Sequence, residues 1–201
     1  MVVSAQDVAA SIIERLNPID NMKLQKLLYV AAGHYLAISG DPMFPEAIEA
    51  WEHGPVVNSV YALYAGELEI ARPKRGSSAL LDEVGVGCVA ATVQFFGRKS
   101  GIELRNLTHK QGPWGAHYKP GDRHCLIPNS AMLRWFRFQL SGIGASGHVD
   151  ERYTDGMAAD AKTKRDWTTP ASPAKRAVIE RLSVAAAAKP APPWVPRHKI
   201  R

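Results

Sequence analysis

The chain has 201 residues, of which 46% are hydrophobic, enough to bury a core and too many for a wholly disordered polymer. No apolar run approaches the roughly 18–20 residues that cross a bilayer, and the N-terminal MVVSAQDVAASIIERL sets Asp7 and Glu14 among its apolar residues with no basic leader, so neither a membrane span nor a signal peptide is expected. The net charge of +6 is unevenly placed: from Lys162 onward ten Lys or Arg face only Asp166 and Glu180, while the preceding residues hold 15 basic and 17 acidic groups. A near-neutral body with a basic tail argues against nucleic-acid binding by the body and leaves it open for the tail.

Ser4 and Asp7 have the spacing of a capping box, and Val8, Ile12 and Leu16 repeat every four residues behind it, predicting a first helix. Asn17-Pro18 ends it, because the residue before proline is pushed away from helical geometry. Asp20 suits the cap of a second helix with the stripe Leu24, Leu27, Leu28, Ala31, Tyr35 and Ile38, closed by Gly40. Lys23 and Lys26 fall on its polar side, where solvated lysines are expected. A proline-punctuated loop over 41–46 leads to a short extended segment, Ala47 to Trp51, and then to His53-Gly54-Pro55, with Pro55 suited to the first position of a helix over about Val56 to Tyr64. Residues 66–79 read as a connection with an exposed basic turn, and Leu80 to Phe96 as a third long helix weakened by Gly85 and Gly87.

Ser100 and Glu103 form another capping box before a short helix through Ile102, Leu104 and Leu107. Thr108 to Pro128, rich in Gly, Pro and His, is expected to be irregular, and Asn129 to cap a last helix carrying Leu133, Phe136 and Leu140. Beyond 141 the pattern fades into SGIGASGHVDERYTDG and a polyproline-like KPAPPWVPRHKIR. The expected architecture is mainly α: a compact helical domain over 1–140 with one short extended β segment, then a flexible basic tail over 141–201.

Chemistry-bearing constellations are sparse. His109, His117, His124 and Cys125 share one stretch, but their spacing matches neither paired CxxC nor HExxH, and ordinary loop or capping histidines are the expectation. There is no G-x-S-x-G, Cys88 lies on an apolar helix face where a thiol is inert, and GRKSG at 97–101 lacks the context of a phosphate loop. Glu49 and Glu52 beside His53 have the types for acid–base work, yet solvated carboxylates are far commoner. A non-enzymatic binding protein without cofactor is therefore expected, and two cysteines in unrelated contexts fit a reducing cytoplasm.

Residues 22–61 carry the most information. Lys23-Leu24-Gln25-Lys26-Leu27-Leu28-Tyr29, Gly40, Pro42, Phe44, Glu49-Ala50-Trp51, Gly54-Pro55-Val56 and Val60-Tyr61, followed in order by Leu104, Leu107-Thr108-His109, Pro113-Trp114 and the Phe136 helix, resemble the Panacea domain of SocA-like and phage-associated GepA-like antitoxins over about residues 5–140. The acidic residue usual there before Pro-Trp is replaced by Lys110-Gln111-Gly112. The resemblance implies a cytoplasmic antitoxin that neutralises a cognate toxin protein by direct binding, and in the SocA-like branch an adaptor that delivers the toxin to a AAA+ protease of the ClpXP type.

Trp51 reads first as a core ring with its N–H satisfied and second as a contact anchor, since aromatic residues dominate binding hot spots. Glu52, His53, Gly54, Pro55, Asn58 and Tyr61 flank the same turn, and Trp114 has the same double reading; together they are the candidate partner-binding set. Trp194, in APPWVPRHK, is the candidate docking residue of a tail acting as a tether. The rival reading is a nucleic-acid-binding regulator working through that tail.

Overall fold

The computed structural model describes residues 2–110, 112–122 and 125–142. In chain order these form α1 (Ala5–Leu16), α2 (Asn21–Ser39), β1 (Glu49–Trp51), β2 (Gly54–Val56), α3 (Asn58–Leu63), a 3₁₀ turn (Ser78–Leu80), α4 (Glu83–Phe96), α5 (Gly101–Lys110), α6 (Pro113–His117) and α7 (Asn129–Gly142). The mainly helical expectation holds. α7 runs two residues into the expected tail; the rest of that tail, from 143 and with Trp194, lies outside the described residues, as do Gln111, Arg123 and His124.

The caps fall where sequence chemistry puts them. Ser4 and Asp7 form a reciprocal capping box on α1, the Asp20 side chain accepts from the Lys23 N–H, Gly40 closes α2, and Ser100 and Glu103 bond reciprocally at the start of α5.

α2 is the axis, packed against α1, α4, α5 and α7. A helix covered on several sides must be apolar around most of its circumference. Leu24, Leu27, Leu28, Ala31, Ala32, Leu36, Ala37 and Ile38 are all buried, so the single stripe read from the sequence understates its coverage. Phe136 of α7 lies against Gly33, where no Cβ would fit.

Four expectations need correction. Pro55 does not open a helix; it sits in β2, opposite Ala50, and the Ala50 N–H donates instead to Cys125 O at 2.7 Å. α3 therefore starts at Asn58. The long helix expected from Leu80 starts at Glu83, because the Asp82 side chain accepts the Gly85 N–H at 2.7 Å as an extended cap. The stretch from Thr108 to Pro128 is not irregular throughout: α5 runs to Lys110, Pro113 opens α6, and Leu126 bridges to Glu49, adding a third segment beside the hairpin.

Candidate protein-binding site

The hairpin is fastened to α2 by two polar side chains that the sequence pattern placed in solvent or left unassigned. Gln25, 2% exposed, accepts the Val57 N–H through Oε1 at 2.9 Å and donates through Nε2 to Asn21 Oδ1. Lys26, 1% exposed, donates from Nζ to Pro55 O at 3.0 Å. Lys26 is thus a buried residue and not a solvated one; the Ala50 N–H opposite Pro55 donates to Cys125 O, so Pro55 O is open to the Lys26 donor. Lys23 is half-buried and donates to Gly97 O at 2.7 Å, so it too is engaged.

Gly54 explains why the turn reads His-Gly-Pro. Its φ of +102° is in the region L side chains rarely adopt, and a Cβ there would lie 2.6 Å from Lys26 Cε and 2.8 Å from Nζ. Burial pushes the Lys26 ammonium down from 10.5 to about 7, with the Arg105 charge adding to it.

A stack of three rings supports the hairpin. Trp114 is buried; its ring centroid lies 3.7 Å from that of His109 and 4.8 Å from that of Tyr118, both nearly parallel, and its Nε1–H donates to Trp51 O at 2.8 Å. Pro-Trp on α6 thereby clamps the hairpin to α5. Burial, followed by the charges of Arg105, Lys26 and His53, pushes His109 down to about 4, so its ring stacks as a neutral imidazole at pH 7.

An open cleft of about 460 Å³ lies over this arrangement, walled by Trp51, Glu52, His53, Tyr61 and Tyr118, with Gln25 and Lys26 also lining it. Trp51 and Tyr61 meet edge to face at 5.0 Å, and the Trp51 indole donates to Glu49 Oε2 at 2.7 Å. Of the candidate set, Trp51, Glu52, His53 and Tyr61 line the cleft; Gly54 and Pro55 are buried in the hairpin, Trp114 supports it from below, and Asn58 is exposed but does not line the cleft. Sequence reasoning missed Gln25, Lys26, Arg105, His109 and Tyr118 as parts of the site. The signal for the first four was long-range and absent from helical periodicity.

His109, His117 and Cys125 are spent differently. His117 Nδ1 lies 2.8 Å from Pro113 O, and the Cys125 thiol donates to Asp122 Oδ2 at 3.1 Å. Among the described residues no group of three or more His, Cys, Asp or Glu is arranged to hold a metal ion, and no helix is long and apolar enough to cross a membrane.

Fold and site define a small helical protein whose central helix and a hairpin present an aromatic-walled cleft over a polar floor. Residues 24–115, which take in α2, the hairpin, α5 and the Pro-Trp pair, match the family model described as Antitoxin SocA-like, Panacea domain. Over those residues, a little under half of its length, the chain is similar to the Panacea domain of SocA-like antitoxins. Over 48 residues it is 46% identical to "Antitoxin SocA" of Caulobacter vibrioides (strain NA1000 / CB15N), a match covering 24% of this chain and 26% of that protein. The chain thus matches about a quarter of that relative's length. No solved structure matches.

Proposed function

We propose that this chain is an antitoxin that neutralises a cognate toxin protein by direct binding, with the cleft between the Trp51–Tyr61 ring pair and Tyr118 as the contact surface. The observation carrying this reading is that the residues of the Panacea match assemble one aromatic face on the cleft: Trp51, half-buried on the hairpin, and Tyr61, exposed on α3, meet edge to face. Large, rigid aromatic side chains supply contact area at low entropic cost, as hot-spot anchors require. Residues 1–140 form the toxin-selecting domain in this reading, and the basic tail from 141 is a tether. The binding itself needs no bond-making step by the antitoxin. Downstream, the bound toxin is handed to a AAA+ protease of the ClpXP type in the cytoplasm.

The test is co-expression with the product of the adjacent reading frame. Growth should be restored by the wild-type chain, and the toxin's half-life should shorten when the antitoxin is present. Full rescue with an unchanged half-life removes the delivery step and leaves masking; no rescue removes the antitoxin reading. Deleting residues 160–201 should leave toxin binding intact.

A further inference from the structure

Three basic groups converge beneath the hairpin from two helices. Lys26 of α2 has one acceptor for its ammonium, Pro55 O. Arg105 of α5 is close enough for its charge to act on Lys26 and to help hold His109, on the same helix, neutral. Arg105 Nε and His109 Nε2 are buried without a hydrogen-bond partner. Buried charges are ordinarily compensated by a neighbouring opposite charge, and leaving them uncompensated is costly.

No carboxylate among the described residues pairs with these three. The ion pair found there joins Lys74 to Glu67, on another part of the surface. The acids near the cleft are otherwise engaged or outward: Glu49 accepts the Trp51 indole, Asp122 accepts the Cys125 thiol, and Glu52 is exposed on the hairpin loop. The cleft nevertheless reaches Lys26, and at about 460 Å³ it has room for an acidic side chain.

We propose that the Lys26–Arg105–His109 cluster is the receptor for a carboxylate supplied by the partner polypeptide, which enters between His53 and Tyr118 and meets the Lys26 ammonium. The inference rests on the protein-binding reading of this cleft and adds the chemistry of the group it takes. Lys26 makes the contact, and Arg105 contributes field from behind. A carboxylate gives specificity here because a neutral amide of the same shape leaves the Lys26 and Arg105 charges uncompensated. Free phosphate shares the anionic chemistry and is separated in the test.

The test uses the full chain, reading the Gly54 amide and Trp114 indole N–H signals by NMR. A blocked Gly-Glu-Gly peptide should give saturable shifts, with at least tenfold weaker binding for Gly-Gln-Gly and for inorganic phosphate. The shifts should disappear in Lys26→Met. They should also disappear in Thr108→Asp, whose carboxylate would internalise the counter-charge: a Cβ built at Gly54 would lie 3.1 Å from Thr108 Oγ1 and 2.8 Å from Lys26 Nζ. Absence of saturable shifts, equal binding of the Gln peptide, or undiminished binding in either folded variant overturns the proposal. Tighter binding of phosphate than of the Glu peptide makes this a free-anion site and overturns it as well. Rescue of growth by a wild-type chain that shows no shifts sinks this inference alone; shifts without rescue sink the antitoxin reading and leave the acceptor site standing.

Discussion

Replacing Lys26 with Met should make the protein more stable in mild acid and leave it nearly unchanged in mild base. Burial lowers the Lys26 ammonium from 10.5 to about 7 in the folded chain. Below about pH 7 both folded and unfolded chains carry the proton, so the desolvation penalty is full and independent of pH. Between about 7 and 10.5 the unfolded chain holds a proton that the folded chain has released, so stability rises with pH there. Each pH unit in that window is worth about 1.4 kcal/mol, which gives a total penalty on the order of 4–5 kcal/mol below pH 7. Methionine keeps most of the buried stem and removes the charge, but it leaves Pro55 O without its donor, costing about 1–3 kcal/mol. The net expectation is a variant more stable than wild type by about 2–3 kcal/mol at pH 6, with a difference within about 1 kcal/mol at pH 9. Urea unfolding of both proteins at the two pH values is the assay, and groups common to both, such as the Cys88 thiol that burial pushes up to about 12, cancel in the difference. Parallel stability–pH curves would refute the reasoning, for they would mean that the Lys26 ammonium is solvated or paired.

Gly54→Ala forces a side chain into a positive-φ position already filled by Lys26, and should cost about 1–3 kcal/mol in urea unfolding; a neutral effect would show that the hairpin yields at no cost. Trp114→Phe keeps a ring between His109 and Tyr118 but removes the donor to Trp51 O, so a loss of about 1–3 kcal/mol is expected, and unchanged stability would deny that bond a role. His34, half-buried beside Phe136 with its Nδ1 enclosed, is pushed down to about 4 by burial. Between about 4 and 6.5 the unfolded chain alone takes up that proton, so stability falls as the pH drops through this window, by about 2 kcal/mol at pH 5. His34→Leu should flatten that acid limb; an identical limb in the variant counts against it.

Local signals were legible where local chemistry decides. Ser4 with Asp7, Asp20, Gly40, and Ser100 with Glu103 each place a helix end correctly, because a cap is satisfied within a few residues of itself. Pro55 shows the limit of that logic. A proline at the first turn of a helix and a proline in an edge strand satisfy the same missing N–H, and here the strand is set by pairing with Glu49–Trp51 and by the Lys26 donor that reaches Pro55 O from α2. Lys26 shows it more sharply. Helical spacing puts residue 26 on the polar side of one stripe, but the side is covered by a hairpin whose carbonyl takes the ammonium, and charge type alone favoured solvent. The ring stack is half legible: Pro113-Trp114 stands out as a pair, while His109 and Tyr118 have no periodic signal, because they reach the Trp114 indole from the end of α5 and the C-terminal cap of α6.

The account stands most directly on a binding measurement between the purified full chain and the product of the adjacent reading frame, compared for wild type and Tyr61→Arg. Tyr61 is 38% exposed on the cleft wall, so the substitution alters the face without opening the core. A tight complex with wild type, weakened at least tenfold in the variant while its melting temperature stays the same, is the predicted result. No complex with the wild-type chain, or equal affinity in both, contradicts the claim that this cleft holds a toxin.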